Sequence, residues 1–346
     1  MRVDMIPFGI YDNESYVEIL VTNDHGLQIS FSDLGARINR WGILKDGRFE
    51  QIILGHRDAA EVFKSPYFFG GTIGRVAGRI DKGEFDLDGN HYTLDCNEGV
   101  NHLHGGQNGY NLKRFDFDIK QSQNKVDIIF TYLDQEKVSG YPGDVTFTVI
   151  HSFNNQNEWT VTYKANATKT TIINPTNHVY FNLNGNNTEP VLNHEVFVDA
   201  DYFLPLEADG IPVGNKKYVE RTPFDFRTPR LLQESLSAEN PQLALMKGID
   251  HPFMLNQEEK VLLSLACSET NYKVDILTDR SAAIIYTLNK IEHAIDVWDN
   301  PLQSHSGIAI ETQEAPNAIN MPGLGDIRLE PQEEFYSQTT YRLMLS

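Results

Sequence analysis

The run from Asn174 to Gly185, Asn-Pro-Thr-Asn-His-Val-Tyr-Phe-Asn-Leu-Asn-Gly, sets one titratable imidazole, His178, in a β-type segment crowded with amides and aromatics. Asparagine and glycine are poor strand formers, so a strand carrying Asn174, Asn177, Asn182 and Asn184 is not composed for folding alone. Amides can meet hydroxyls and ring faces can meet C–H surfaces, which together are what a sugar presents. By itself the run also reads as a polar edge strand. A carboxylate stands near the end of a second segment, Ile308-Ala309-Ile310-Glu311-Thr312-Gln313. Facing solvent, Glu311 is unremarkable; facing inward, it is a desolvated base with a raised pKa.

Three further segments carry candidate chemistry. Asn101-His102-Leu103-His104-Gly105-Gly106 places two imidazoles at i and i+2, on one side of a strand. That spacing suits a metal, yet no third histidine or carboxylate follows at the separation such motifs show, so no metal is expected. The glycine pair predicts a tight turn that lets a side chain face a cleft. Gly74-Arg75-Val76-Ala77-Gly78-Arg79-Ile80 offers two arginines that share a face if the chain is extended, or else sit in surface ion pairs. In Lys247-Gly248-Ile249-Asp250-His251-Pro252-Phe253, Asp250 precedes a proline-restricted residue, a place where loop aspartates commonly cap turns.

Bulk properties narrow the classes. The chain has 346 residues, room for two average domains or one large β domain. With 48 acidic against 29 basic residues its formal charge is −19, which disfavours nucleic acid, anionic lipid and phosphorylated substrates. Cys96 and Cys267, the only cysteines, can build neither a disulfide framework nor a paired-cysteine metal motif. No apolar h-region opens the chain and no apolar run approaches membrane-spanning length, so a cytoplasmic location is expected.

The elements that must position these groups read mostly as strands. Phe85 and Leu87 alternate into Asp88-Gly89, and Tyr92 and Leu94 alternate out, a strong hairpin signal. Phe115, Phe117 and Ile119 precede a polar turn before Val126, Ile128 and Phe130; Val145, Phe147 and Val149 lead through an asparagine-rich turn to Trp159, Val161 and Tyr163. Period-two alternation with one polar face implies antiparallel sheets packed face to face. Helical signals are few and short: 58–64, and 231–246 interrupted by Pro241. With no linker, repeat or low-complexity segment, the expectation is an all-β fold, a large antiparallel β-sandwich forming one domain over 1–346.

Taken together the segments resemble the aldose 1-epimerase (galactose mutarotase) family. The resemblance rests on Gly35 to Ile38, Gly74 to Ile80, Leu103 to Gly106, Gly140 to Gly143 (Gly-Tyr-Pro-Gly) and Asn174 to Leu183. It continues through Thr222 to Arg227 (Thr-Pro-Phe-Asp-Phe-Arg), Gly248 to His251 and Ile310 to Gln313, in the family's order across essentially the whole chain. It implies a mutarotase-like β-sandwich with a sugar cleft and no cofactor. By motif position, Glu311 is similar to the family's general base and His178 to its general acid, while His104, Asp250 and Arg79 fall where relatives bind sugar hydroxyls. Two departures bear on sugar preference: Gly78 stands where many relatives carry asparagine, and the stacking residue falls somewhere near Ile284 to Tyr286.

The implied reaction opens a hemiacetal and recloses it on the other face. Glu311, as carboxylate, takes the C1 hydroxyl proton, while His178, as imidazolium, protonates the ring oxygen, and His104 lends a hydrogen bond. A negative Glu311 beside it is expected to raise the imidazole's pKa and keep the acid charged. A maltose-type disaccharide epimerase of the same family is the near alternative. A noncatalytic sugar-binding sandwich needs no acid–base pair; a glycosidase using Asp250 and Glu311 leaves His178 without a role. The expected partner is a small sugar, with neither nucleic acid nor membrane, on a monomer or homodimer.

Overall fold

The structure, a computed structural model, describes residues 1–45, 47–256 and 261–345. Strand accounts for 47% and helix for 11%, so the all-β expectation holds. Among the described residues no helix is long and apolar enough to cross a membrane. The alternating segments pair as expected. Glu84–Leu87 and Asn90–Thr93 form a hairpin whose turn residues Asp88 and Gly89 take φ of 51° and 75°. Asp116–Gln121 pairs antiparallel with Lys125–Asp134, and Val145–Asn154 with Glu158–Ala167. Ala59–Lys64 is a helix capped by the Asp58 side chain. The 231–246 segment splits into Leu232–Leu236 and Pro241–Met246, with Pro241 in the first turn, where its missing N–H costs nothing.

Three antiparallel sheets dominate. One has five strands from Arg2–Tyr11 to Arg48–Gln51, and another has nine, with Phe335–Leu345 at its centre. The third runs Tyr180–Phe181, Ile308–Gln313, Ala282–Tyr286, Asp250–Met254, Tyr202–Phe203 and Lys217–Tyr218. A continuous apolar core takes side chains from all three, including Ile29, Phe147, Trp159, Ile285 and Ile310. Strand alternation then decides which face of the third sheet is free for chemistry. Ala283, Ile285, Phe253, Ile308 and Ile310 turn into the core. The intervening residues Asp250, Pro252, Ile284, Tyr286, Glu311 and Gln313 turn to the opposite face, where they line clefts.

Short pairings bring the rest of the chain to that face. Thr176–Asn177 pairs with Thr72–Ile73, while Tyr180–Phe181 pairs with Ile308 and Ala309, so the chain changes sheets around His178. Arg79–Ile80 pairs with His102–Leu103. The 74–79 segment is anchored by Arg75, which is neither on the surface nor on the face of Arg79. It is fully buried, with Nε donating to Asp134 Oδ2 at 2.8 Å and Nη1 donating to the carbonyls of Pro142 and Gly143 at 3.0 Å. The Gly-Tyr-Pro-Gly motif therefore supplies acceptors for a buried guanidinium.

Removing one partner of a buried ion pair leaves the other charge stranded. Asp134→Ala is expected to lower unfolding stability by roughly 3–5 kcal/mol, read as a shifted urea midpoint. The double change Arg75→Met with Asp134→Leu should recover most of that loss. A double variant no more stable than Asp134→Ala would show that the Arg75 hydrogen bonds to the Pro142 and Gly143 carbonyls, rather than the ion pair, carry the stability.

Candidate active site

Glu311 and His178 come from different parts of the chain and meet side by side, with His178 Nε2 3.3 Å from Glu311 Oε1 and both side chains buried. The backbone of His178 is fixed by pairing with the 70–71 segment: its N–H donates to Gly71 O at 2.9 Å, and its carbonyl accepts from Gly70 N–H at 3.0 Å. Its ring lies between two aromatic rings, Tyr180 at 4.9 Å and Phe68 at 5.5 Å, each inclined by 22°. His104 meets it edge-on at 5.3 Å.

This enclosure sets the protonation states. Burial pushes the His178 imidazole down to about 3. Burial, reinforced by the nearby negative charge of Asp250, pushes the Glu311 carboxyl up to about 8, with Arg79 pulling in the other direction. The expectation of a charged imidazolium beside a carboxylate is therefore reversed. Loss of hydration penalises both charges, so the proton the pair shares rests on the carboxyl.

The surrounding groups have fixed orientations. Gly78 N–H donates to His104 Nδ1 at 3.2 Å, and His104 N–H donates to Gly78 O at 3.1 Å. With Nδ1 accepting, the His104 hydrogen sits on Nε2, so the ring offers a donor. This bears on metal binding. His104, His178 and Glu311 bring potential ligand atoms within 4.8 Å of one another, but an Nε2–H has no lone pair for a cation. The donor set does not fit a metal unless that hydrogen bond breaks. Nor do His102 and His104 share a face. Strand geometry stops at Leu103 and His104 has φ 55°, so His102 turns away to Tyr141 Oη at 2.7 Å and Asp95 O at 2.7 Å.

Arg79 donates from Nε and Nη2 to the two oxygens of Glu98, at 2.6 and 2.8 Å. Gly210 lies against the guanidinium, and its φ of 81° is a backbone conformation that favours glycine. Asp250 pairs in register with Tyr286, one row along the sheet from Glu311 and Ile284. Burial raises the Asp250 carboxyl, opposed by the charge of Arg79. Arg79, His104, His178, Asp250 and Glu311 thus line a single pocket. Tyr286 lines it as well, at one end of the Ile284 to Tyr286 stretch where a stacking residue is expected.

The asparagines of the 174–185 run do not line that pocket. Asn177 donates to Gly70 O at 2.9 Å, Asn182 donates to Glu189 O at 2.8 Å and Ser306 O at 2.7 Å, and Asn174 donates to Glu314 O at 3.1 Å. These amides satisfy backbone where the chain changes sheets, and sugar contacts are not their task. Sequence reasoning missed Phe68 and Glu98. Phe68 sits in an apolar Tyr-Phe-Phe run that periodicity cannot resolve, and Arg37 holds the neighbouring carbonyl, donating to Phe69 O at 2.9 Å. Glu98 looks like any turn carboxylate until Arg79 is placed beside it.

The family model described as aldose 1-epimerase matches residues 18–342. Aldose 1-epimerase of Streptococcus thermophilus is 31% identical over 95% of each chain, and galactose mutarotase of Sus scrofa is 33% identical over 91% of this chain and 92% of that one. The crystal structure of galactose 1-epimerase from Lactobacillus acidophilus superposes with a TM-score of 0.89 at 29% identity, covering 100% of this chain and 99% of that one.

A carboxyl whose folded pKa lies above its unfolded one is charged at a cost once pH exceeds the unfolded value. For Glu311 that stability loss begins near 4.5 and is complete near 8. Glu311→Gln is therefore expected to gain unfolding free energy over the parent as pH rises through this window, with a limiting slope of about 1.4 kcal/mol per pH unit, read as a widening Tm difference. A Tm difference that stays flat from pH 4 to 8 would contradict the raised carboxyl.

Proposed function

Because this chain belongs to the aldose 1-epimerase family of carbohydrate isomerases, we propose that its pocket interconverts the α and β anomers of a free aldose such as galactose or glucose, with Glu311 and His178 as the acid–base pair. The observation that carries this is their 3.3 Å contact inside a pocket also lined by Arg79, His104 and Asp250. The C1 hydroxyl and the ring oxygen are bonded to the same carbon. One proton must leave the first while another arrives at the second, so base and acid must stand within a few ångströms of each other. A neighbouring pair holding a single proton meets that demand, and positioned proton transfer contributes roughly 10²–10⁴-fold.

In the free site the proton rests on Glu311. Sugar hydroxyls entering the pocket bring donors to the carboxylate, and the charge of Arg79 already favours its ionised form. The proton then passes to His178, across the contact. From there Glu311 accepts the C1 hydroxyl proton while His178 gives its own to the ring oxygen, and the C1–O5 bond breaks to leave an aldehyde. Rotation about C1–C2 presents the other face, and the same groups run in reverse. His104 Nε2–H donates to the oxygen on which charge builds. Arg79, Asp250 and Glu98 surround the remaining hydroxyls, and the faces of Phe68 and Tyr286 suit the C–H surface of the ring. His104 serves as a donor, so no metal is assigned a role. The chain works as one catalytic domain in a reducing, cytoplasmic setting, a reading supported by the unpaired Cys96 and Cys267.

Polarimetry on freshly dissolved α-D-galactose, α-D-glucose and α-maltose tests the proposal directly. Glu311→Gln and His178→Asn should each lower kcat by at least about 10²-fold. A rate on the preferred sugar that survives either change would remove that residue from the chemistry, and maltose as the best substrate would point to a disaccharide epimerase. After subtraction of the spontaneous rate, kcat/KM should hold between about 3 and about 8. Above that window the pair has lost its one proton and has no acid; below it a second proton arrives and no base remains. Asp250→Asn removes a charge that raises Glu311, so its alkaline limb should fall to lower pH while KM rises. An alkaline limb unmoved by Asp250→Asn would dissociate it from Glu311.

A further inference from the structure

A second cavity adjoins the first and shares Arg79, Leu103, His104, Asp250 and Glu311 with it. Its remaining wall is largely apolar, from Leu206, Pro252, Ile284 and Pro316, with one exception, the carboxamide of Gln313. Gln313 is wholly buried, and neither its Oε1 nor its Nε2 meets a hydrogen-bond partner among the described residues. Glu311 Oε2 is in the same condition. Alternation along Ile308–Gln313 puts both side chains on one face, while Thr312 between them turns to the other and bonds Thr339.

Unpaired buried amides are rare and costly, and bound water is the ordinary way such groups are satisfied. The cavity volume of ≈ 30 Å³ exceeds the roughly 10–15 Å³ that one water needs, and the site offers several polar partners. We propose that water bound in this cavity links the Gln313 carboxamide to Glu311 Oε2, making Gln313 a positioning residue for the carboxyl.

The physical consequence is specific. The amide N–H orients the water so that its own O–H points at Oε2, and a donor to a carboxylate favours the charged form. Gln313 thereby offsets part of the burial that holds Glu311 protonated, and it fixes Oε2 so that Oε1 stays toward His178. The effect carries no charge of its own, unlike those of Arg79 and Asp250 on Glu311. His178 and His104 stand beside it, Arg79 and Asp250 act on it electrostatically, and Tyr180 and Tyr341 feel its charge in turn.

The inference rests on the acid–base reading only for its kinetic part, so the test has a readout that does not need turnover. In protein carrying ¹³C-labelled glutamate, the Glu311 carboxyl resonance is assigned by its loss in Glu311→Gln and titrated by NMR. Gln313→Leu, with Gln313→Met as the unbranched second variant, should raise the Glu311 midpoint by about half a unit to one unit. It should also move the alkaline limb of kcat/KM by the same amount, and lower kcat about tenfold with KM little changed. A high-resolution crystal structure of the parent should show ordered water within hydrogen-bond distance of Gln313 and Glu311 Oε2. An unmoved midpoint in both variants, or a dry cavity, would overturn the proposal. If the midpoint moves while Glu311→Gln stays active, the water link stands and the assignment of Glu311 as base does not.

Discussion

A carboxyl and an imidazole held 3.3 Å apart and buried together form the contact from which the rest of the arrangement follows. Water would solvate both groups and separate their charges. Burial, with the rings of Phe68 and Tyr180 stacked on the imidazole, penalises charge on either group and leaves the pair one proton to share. Such a pair is costly to the fold in both directions of pH, because one member resists ionising and the other resists protonation. A site of this kind persists only where the scaffold around it is rigid.

The scaffold meets that requirement by sorting its polar groups. Arg75 is spent on Asp134 and two loop carbonyls, Arg37 on the carbonyls of Leu34, Phe69 and Asn111, and the asparagines of the 174–185 run on backbone where the chain crosses between sheets. These interactions hold the strands and loops at the angles the pocket needs. The groups left facing the cleft, Arg79, Glu98, His104 and Asp250, are held by one another and by strand register. A sugar's hydroxyls would thus meet an array already oriented, so that little ordering remains on binding.

The two glycine-rich approaches matter for the same reason. Gly78 and His104 exchange backbone and ring hydrogen bonds that set the imidazole's tautomer, and Gly210 lets a loop lie flat on the Arg79 guanidinium. Each converts a flexible side chain into a fixed donor. The same logic extends to the sheet face itself: residues two apart on Ile308–Gln313 share the cleft side, so Glu311 and Gln313 are neighbours by pleat alone.

The amino-acid sequence by itself determined the class of fold, because alternation along a strand and turn residues such as Asp88-Gly89 are local properties with a fixed period. The acid and base roles expected of His178 and Glu311 came from the resemblance of their motifs to a family, not from composition or spacing. Tertiary structure decided what each group does. Spacing on paper put His102 with His104 and Arg75 with Arg79, but a positive φ at His104 and a kinked segment before Arg79 sent the partners to opposite environments. The amides read as sugar contacts became backbone ligands, and the expected ion pair became a shared proton. Charge state and direction depend on neighbours brought from far along the chain, through burial and register that no local pattern encodes.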